Sequence, residues 1–353
     1  MAHDGSDRRT DGVTVSPLGR GDEGQWDAFV EAMPEATFCH LSGWRTVVET
    51  VFGHRTHYLM ACQGGSVVGV LPLTHVRSFL FGNALISNAF CMYGGPVAVS
   101  EQAYSALERE AISISERIGT DYLEFRMLQP RHADWPRKAD LYVTFRKSMH
   151  AEVDANMKAI PRKQRAMVRK GIANGLRSEI DGDPSRLHHI YAESVRNLGT
   201  PVFPLSLFRA LKRQFGEACD IVTICQGELA VASVMNFYFR DQVMPYYGGG
   251  LPAARDLAAN DFMYWEVMRR ACERGYRFFD FGRSKVGTGS YNFKRYWGFE
   301  PAPLVYEYQL GKARGIPDNS PRNRKFHYFI EIWKRMPLPL TKLIGPIIVK
   351  GTG

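Results

Sequence analysis

The sequence contains no apolar run long enough to cross a bilayer. Its longest, Val67 to Leu73 and Gly345 to Val349, fall far short of the roughly 20 residues a spanning helix requires. Behind the opening MAHDGSDRRTDG there is no apolar segment of a secretory signal, so the chain is expected to work in the cytoplasm and residues 1–12 to form a disordered tail. Cysteine is sparse and unpatterned. Cys39, Cys62, Cys91, Cys219, Cys225 and Cys272 form no CxxC and no zinc-like spacing with histidine, and their apolar neighbours point to buried free thiols. The chain also lacks a G-x-S-x-G elbow, a G-x-G-x-x-G turn and a Walker loop, which leaves nucleophilic hydrolysis, dinucleotide binding and P-loop chemistry without a motif. The adjacent pair His188-His189 falls on a predicted helix, where neighbours point apart, and no metal is assigned.

What is present is the material of a folded protein. With 353 residues, 45% hydrophobic and 23% charged, the chain exceeds one comfortable core, and two domains are expected. Forty-five Lys and Arg stand against 36 Asp and Glu, a formal charge of +9. That balance favours an anionic partner such as a phosphate-bearing donor, an RNA or an acidic membrane.

Periodicity predicts a mixed order of elements. A strand and a helix occupy 13–32, where Trp26, Phe29 and Val30 repeat at helical spacing, and a second helix spans 41–53 with Ser42 as N-cap and Gly53 as stop. Strands on either side of Gly64-Gly65 form a hairpin, a third run follows at 83–99, and a helix covers 102–118. Strands at 121–128 and 142–149 are expected to close the first half. In the second half, helices at 185–198 and 205–215 precede a strand meander over 219–250 that turns at Gln226-Gly227 and Arg240-Asp241. A helix at 260–274 then leads into the strand YRFFDFG. Both halves carry a strand ending in Tyr-Gly-Gly (Tyr93 to Gly95; Tyr247 to Gly249), then a helix, then an apolar strand, a weak duplication of about 150 residues.

Two basic segments stand apart. MKAIPRKQRAMVRKGIANGLR holds Lys158, Arg162, Lys163, Arg165, Arg169, Lys170 and Arg177 with no acid among them. It reads either as a solvated connecting helix or as a face for a polyanion. From Ala313 onward the tail alternates cations with Phe326, Phe329, Ile330 and Trp333 on one helical face. It either packs on the domain or attaches to an anionic membrane surface.

The stretch from Pro245 to Tyr308 carries the most chemistry. Tyr247, Gly248 and Gly249 end a strand that opens onto a helix at Asn260, an arrangement whose backbone N–H groups and helix terminus suit a diphosphate or an oxyanion. After YRFFDFG, the segment GRSKVGTGSYNFKRYWGF concentrates Arg283, Ser284, Lys285, Thr288, Ser290, Lys294 and Arg295 among four glycines. It reads as a loop able to close over an anionic ligand.

These residues, YYGGG to VYEY together with IPRKQRAMVRKG, NLGTPVFP and the first-half run GVLPLTHVRSFLFGNALISNAFCMYGG, closely resemble the FemAB-related proteins associated with PEP-CTERM/exosortase systems. The resemblance implies a mixed α/β (α+β) fold of two tandem GNAT-like (acyl-CoA N-acyltransferase) domains, at 13–155 and 156–312, followed by a basic amphipathic tail at 313–353. It implies acyl or aminoacyl transfer to an amine, with acyl-CoA or aminoacyl-tRNA as co-substrate and no bound cofactor. The acceptor would be an envelope or exopolysaccharide precursor, reached in the cytoplasm or beside the inner membrane. Phe293-Lys294 matches the family's Phe-Lys pair. By that match Lys294 would stabilise negative charge developing in the transition state and Phe293 would wall the donor channel. The amine must lose a proton during attack, and Asp280 and Tyr291 stand close enough in sequence to take it, although Asp280 could equally partner Arg283. Tyr247, Gly248, Gly249, Asn260, Arg283, Ser284, Lys285, Arg162 and Arg165 are the expected donor and substrate contacts. The long helical arm of some Fem proteins is absent, unless the helix at 158–170 is its remnant. A non-catalytic factor binding RNA or a sugar-lipid on the same scaffold is the other reading.

Overall fold

The computed structural model describes residues 12–79, 81–316 and 324–353, with side chains of the final helix pair described from Tyr328 onward. Residues 1–11 of the expected tail and residues 317–323 lie outside that description.

The first half runs β1 (Thr14–Pro17), α1 (Glu23–Ala32), α2 (Gly43–Val47, prolonged by a wide turn through Phe52), β2 (Leu59–Gln63), β3 (Ser66–Leu71), β4 (Leu73–Ser78), β5 (Gly82–Ser87), β6 (Val97–Ala98), α3 (Glu101–Ile118) and β7 (Tyr122–Met127). Ser100 caps α3 by accepting from the Ala103 N–H, and Gly119 ends it in the left-handed conformation at φ 65°. Gly53 stops the second helix in the same way, at φ 64°. Ser42 is not the cap expected of it: its own backbone is helical and its hydroxyl donates to Asp27 instead.

Next come β8 (Tyr142–Ser148), α4 (Val153–Ala159), α5 (Arg162–Ala173), β9 (Arg177–Ile180), α6 (Ser185–Asn197), α7 (Leu205–Phe215), β10 (Cys219–Gln226), β11 (Leu229–Phe239) and β12 (Gln242–Gly250). They are followed by α8 (Ala259–Glu273), β13 (Phe278–Asp280), the two-residue β14 (Ser284–Lys285), α9 (Gly289–Tyr296), β15 (Val305–Leu310), α10 (Arg324–Arg335) and α11 (Leu338–Lys350). β11 reads LAVASVMNFYF almost without polar residues because α6 and α8 pack against it.

The sheets exchange strands. β8, expected to close the first half, pairs antiparallel with β13 of the second, Arg146 opposite Asp280 and Ser148 opposite Phe278. In return β15 pairs with β7 along its whole length, from Val305 opposite Met127 to Leu310 opposite Tyr122. Alternation within YVTFRKS fixes which side chains face inward but not which edge the strand joins. The second sheet therefore runs β9-β10-β11-β12-β13-β8-β14, and the first half contributes β1-β2-β3-β6 and a sheet in which β4, β5, β7 and β15 are neighbours.

One apolar cluster runs through both halves, from Trp26 and Trp44 to Phe208 and Phe237. Phe38 stacks on Phe237 at 4.4 Å between ring centroids and lies 4.6 Å from Phe215. Five of the six free cysteines are buried in the protein and Cys62 is half-buried. The Tyr93-Gly94-Gly95 motif is not a strand end as expected. It lies in the irregular stretch between β5 and β6, bent by positive φ at Asn88 (49°) and Phe90 (68°). Asn88 can hold that shape because its amide donates to the Cys39 carbonyl while its oxygen accepts from Tyr58.

Ending the chain after Leu304 removes β15 and leaves β7 with an unpaired edge. The truncated chain is expected to lose cooperative unfolding in the first half as well, read as loss of the denaturant transition reported by Trp26 and Trp44 fluorescence. A first half that still unfolds cooperatively would show the exchange to be dispensable.

Candidate active site

The chemistry gathers where β13 ends against the exchanged strand β8. In FFDF the phenylalanines Phe279 and Phe281 enter the core with Phe299, which fixes the strand and leaves Asp280 at the seam, only 2% exposed. Asp280 Oδ1 accepts from the Gly282 N–H at 2.7 Å and from the Thr144 hydroxyl of β8 at 3.2 Å. Thr144 in turn accepts from the Tyr93 hydroxyl at 2.7 Å. Burial raises the Asp280 pKa, opposed by the Gly282 N–H and by the Lys294 charge. The Gly282 N–H and the Thr144 hydroxyl thus point at one carboxylate, and Tyr93 extends the Thr144 branch by one further hydroxyl.

Lys294 lies on α9, not on a loop. The expected loop at 283–295 is helical from Gly289, because Thr288 caps the turn by accepting from the Tyr291 N–H. Lys294 is 8% exposed, and its Nζ donates to the carbonyls of Phe281 (2.6 Å), Gly282 (2.9 Å) and Arg283 (3.2 Å). An ammonium has three donors, so all are directed at this one bend. Burial pushes its pKa down to about 7, with Asp280 opposing and Arg283 reinforcing the shift.

Beside the bend lies a cavity of about 260 Å³ between the halves, lined by Glu124, Arg126, Tyr142, Arg283, Tyr306 and Tyr308 among others. Arg283 faces it from β13's end, donating to Tyr306 Oη at 2.9 Å with its guanidinium 4.7 Å from the Tyr142 ring centre. Arg126 donates to Glu124 at 2.6 Å, to the Cys91 carbonyl at 2.7 Å and to the Gly353 carbonyl at 3.4 Å. Three cationic side chains, Arg126, Arg283 and Lys138, against the one carboxylate of Glu124 leave the side-chain lining of the cavity positive. Arg126 also lines a second cavity of about 440 Å³ in the first half with Tyr93, His40 and Arg131. His40 cannot serve as a base there. Its Nδ1 accepts from the Thr37 N–H, which leaves Nε2 to donate to the Gly95 carbonyl, and burial lowers its pKa to about 4.

The remaining expected residues are spread around this seam. The parallel strands β12 and β13 pair only at Gln242 with Phe278 and Val243 with Phe279. Beyond that point β12 continues to Gly250 and the strands part. Gly248 and Gly249 lie in this free-edged length, but what requires glycine is close packing: a Cβ on Gly249 would sit 2.6 Å from Ser194 of α6, and one on Gly248 would sit 3.0 Å from Val234. Tyr247 is buried among Tyr191, Phe203 and Phe208 with no partner for its hydroxyl. Asn260 stands in the first turn of α8, which begins without a side-chain cap. Phe293 packs on Tyr264, Phe281 and Trp297, and Tyr291 packs edge-on to Phe145. Ser284 is buried with its hydroxyl accepting from Ser290, and Lys285 follows it in β14 opposite Tyr142. Arg162 and Arg165 stand on the outer side of α5, whose Gln164 and Val168 face inward. None of α5's cations is in an ion pair among the described residues.

The structure therefore unites Asp280, Arg283 and Lys294, and adds Tyr93, Thr144, Glu124, Arg126 and Tyr306, which the sequence reading did not select. Two of these left a signal: Glu124 and Arg126 sit two apart in the apolar strand YLEFRM, on a single face, where an unpaired charge would be costly. Among the described residues no three His, Cys, Asp or Glu side chains converge to hold a metal.

Residues 157–295 match the acetyltransferase (GNAT) domain family. The whole fold is similar to the crystal structure of FemX, with a TM-score of 0.63 at 13% identity over 84% of this chain and 97% of that one. It is similar to a tandem GNAT protein from the clavulanic acid biosynthesis pathway, with a TM-score of 0.54 at 12% identity over 84% and 98%. It is also similar to the C-terminal domain of a putative lysylphosphatidylglycerol synthetase from Agrobacterium fabrum, with a TM-score of 0.54 at 12% identity over 84% and 99%. No curated protein matches the chain. The fold is a mixed α/β arrangement of two GNAT-like units in tandem, and the acetyltransferase match over residues 157–295 supports an acyltransferase.

Lys294→Met leaves the three carbonyls of the bend without their donor and is expected to cost about 2 kcal/mol of stability. The sign of its pH dependence follows from a folded pKa near 7, below the ordinary 10.5. Between those values the unfolded chain binds more protons, so wild-type stability gains with rising pH through that window, a gain the variant lacks. Denaturant midpoints across pH 7 to 10 measure both.

Proposed function

We propose that the protein is a Fem-like N-acyltransferase that passes an acyl or aminoacyl group directly to an amine, without a covalent enzyme intermediate. The observation that carries this reading is the parting of β12 and β13 within the acetyltransferase-matching segment, immediately beside buried Asp280 and Lys294. The donor lies along the free edge of β12 with its phosphates toward the uncapped start of α8, where backbone N–H groups and the helix dipole favour anions. Gly248, Gly249 and Asn260 border that path.

The acceptor amine enters the central cleft, with its anionic portion held by Arg283 and Arg126. Its amine end extends past Arg126, which lines both cavities, to Tyr93 in the first-half cavity; as it attacks the donor carbonyl, the amine proton passes to Tyr93 Oη while the Tyr93 proton moves to Thr144 and the Thr144 proton to Asp280. Asp280 is then neutral; the tetrahedral intermediate collapses by breaking the donor's thioester or ester bond, and the proton returns along the relay to the leaving thiolate or alkoxide, which restores the carboxylate. Lys294 acts by holding the 281–283 bend and so aiming Arg283, and its positive charge lies near the developing oxyanion. Tyr291 and Phe293 brace α9 behind it, and Ser284 and Lys285 continue the wall.

The domain match supports acyl-CoA as donor. Aminoacyl-tRNA is the second reading, supported by the exposed cations of α5, a helix of 12 residues or about 18 Å, more than one diphosphate requires. The PEP-CTERM resemblance extends the reading to an amine of an envelope or exopolysaccharide precursor, met at the cytoplasmic side of the membrane.

Acetyl-CoA, longer acyl-CoAs and charged tRNA are compared by thermal shift and direct binding. One saturable donor is expected, weakened by salt if it engages α5. Asp280→Asn is expected to keep donor affinity and lower turnover by about a hundredfold or more. Absence of stabilisation by any donor would instead support the binding-factor reading.

A further inference from the structure

The C-terminal hairpin α10–α11 has two opposed faces. Inward, Trp333 donates to the Thr200 carbonyl at 3.0 Å, Ile330 fills the space over Gly199, and Gly345 lies against the Val202 backbone. Thr341, Gly345 and Val349 repeat at helical spacing along the buried side of α11. Outward, Phe329 and Ile332 of α10 and Leu340, Leu343 and Ile347 of α11 are exposed, the last two at 69% and 73%. Packing has thus left a second apolar stripe on a helix that already has one.

A separate element lies at the end of α11. Gly351, just past α11, packs on Ser78 and Phe81 of the tip between β4 and β5, and in that tip Phe79 is fully exposed. The surroundings are cationic. From Arg324 to Gly353 the sequence holds six Lys and Arg and one acid, Glu331, and Arg77 adjoins the tip. No helix of the described residues is long and apolar enough to cross a membrane. Phe81 and the chain end at Thr352 and Gly353 also line the central cavity.

We propose that Phe79 and the outer stripe of α10–α11 form a footprint that inserts into the surface of an anionic lipid bilayer, placing the mouth of the central cavity at the headgroup level. Apolar side chains ringed by cations match an interface whose tails are apolar and whose headgroups are negative. A monomer surface rarely leaves such a patch uncovered. Joined to the acyltransferase reading, on which this last step rests, the footprint identifies the acceptor class as an amine on a membrane-held amphiphile. Such an acceptor would reach Arg283 and Arg126 without leaving the bilayer.

Co-sedimentation with vesicles tests the footprint. Wild type is expected to bind phosphatidylcholine vesicles containing phosphatidylglycerol and to bind pure phosphatidylcholine weakly. Phe79→Ser, and Leu343→Ser combined with Ile347→Ser, should each lower binding about tenfold with unchanged melting temperature, since these side chains touch little. Lys342→Glu should weaken binding to the charged vesicles only. Binding that ignores the apolar variants, or no binding at all, overturns the footprint, as does a wild-type dimer that the same variants split, because a second copy would then cover the face. Turnover is followed with a soluble amine and with an amine-headed lipid in the vesicles. Variants that lose only the vesicle-held substrate support the acceptor class, and equal loss of both overturns it. A wild type that binds vesicles but acylates neither amine refutes the acyltransferase reading and leaves the footprint standing.

Discussion

The two-way exchange of β8 and β15 is the constraint on which the rest of the structure depends. Six residues of β15 ladder onto β7, and β8 ladders onto β13, so the halves share main-chain hydrogen bonds as well as side-chain packing. Each exchanged strand also carries side chains for the cleft. Tyr306 and Tyr308 alternate inward from β15, while Glu307 between them faces the other side and holds the N–H groups of Arg131 and His132. Thr144 reaches Asp280 only because β8 lies beside β13. A cleft between loosely tethered domains would open and close. Here its two walls are fixed by the same ladders that complete the sheets, which suits chemistry needing preorganised dipoles.

The site lies at the seam because that is where polar groups find partners out of water. Arg126 and Glu124 are both about 7% exposed, and each would be strongly destabilising alone. Together with the Cys91 carbonyl they make a satisfied cluster that still presents a guanidinium to two cavities. Asp280 and Lys294 follow the same logic with the backbone between them: the carboxylate takes the Gly282 N–H, the ammonium takes the carbonyls of residues 281–283, and the bend is clamped from both sides. Positioning of Arg283 is thereby a by-product of satisfying two buried charges.

The local elements were legible in the sequence because local physics makes them. The Gly64-Gly65 hairpin, the helix before Gly119 and the meander from Cys219 follow from period and turn residues. The FFDFG strand with Phe293-Lys294 pointed to the seam through the resemblance. What local pattern could not convey was partnership across distance. YVTFRKS shows a strand and not its neighbour, and VYEYQL carries no sign that it will complete a sheet begun some 180 residues earlier. Gly248 and Gly249 illustrate a related ambiguity, since a glycine required by Ser194 of an overlying helix reads the same as one that cradles a phosphate. Tyr93 was visible as a motif, yet its role depends on Thr144, 51 residues away.

The positive charge of the chain separates by depth, and depth decides what each part can do. On α5 Arg162, Lys163, Arg169 and Lys170 are exposed and face water, where each contributes little energy but together they accelerate encounter with a polyanion and make it sensitive to salt. Around α10–α11 they border an apolar stripe, so lipid binding would combine screened attraction with unscreened burial. In the cleft, Arg126 is already desolvated and held by Glu124, while Arg283 keeps contact with water but is oriented by Tyr306. An anion arriving there gives up its own water but requires little rearrangement of the protein, so geometry rather than net charge selects it. A chain using one sign of charge for approach, docking and selection needs its cleft arginines held most rigidly, and the strand exchange supplies that rigidity.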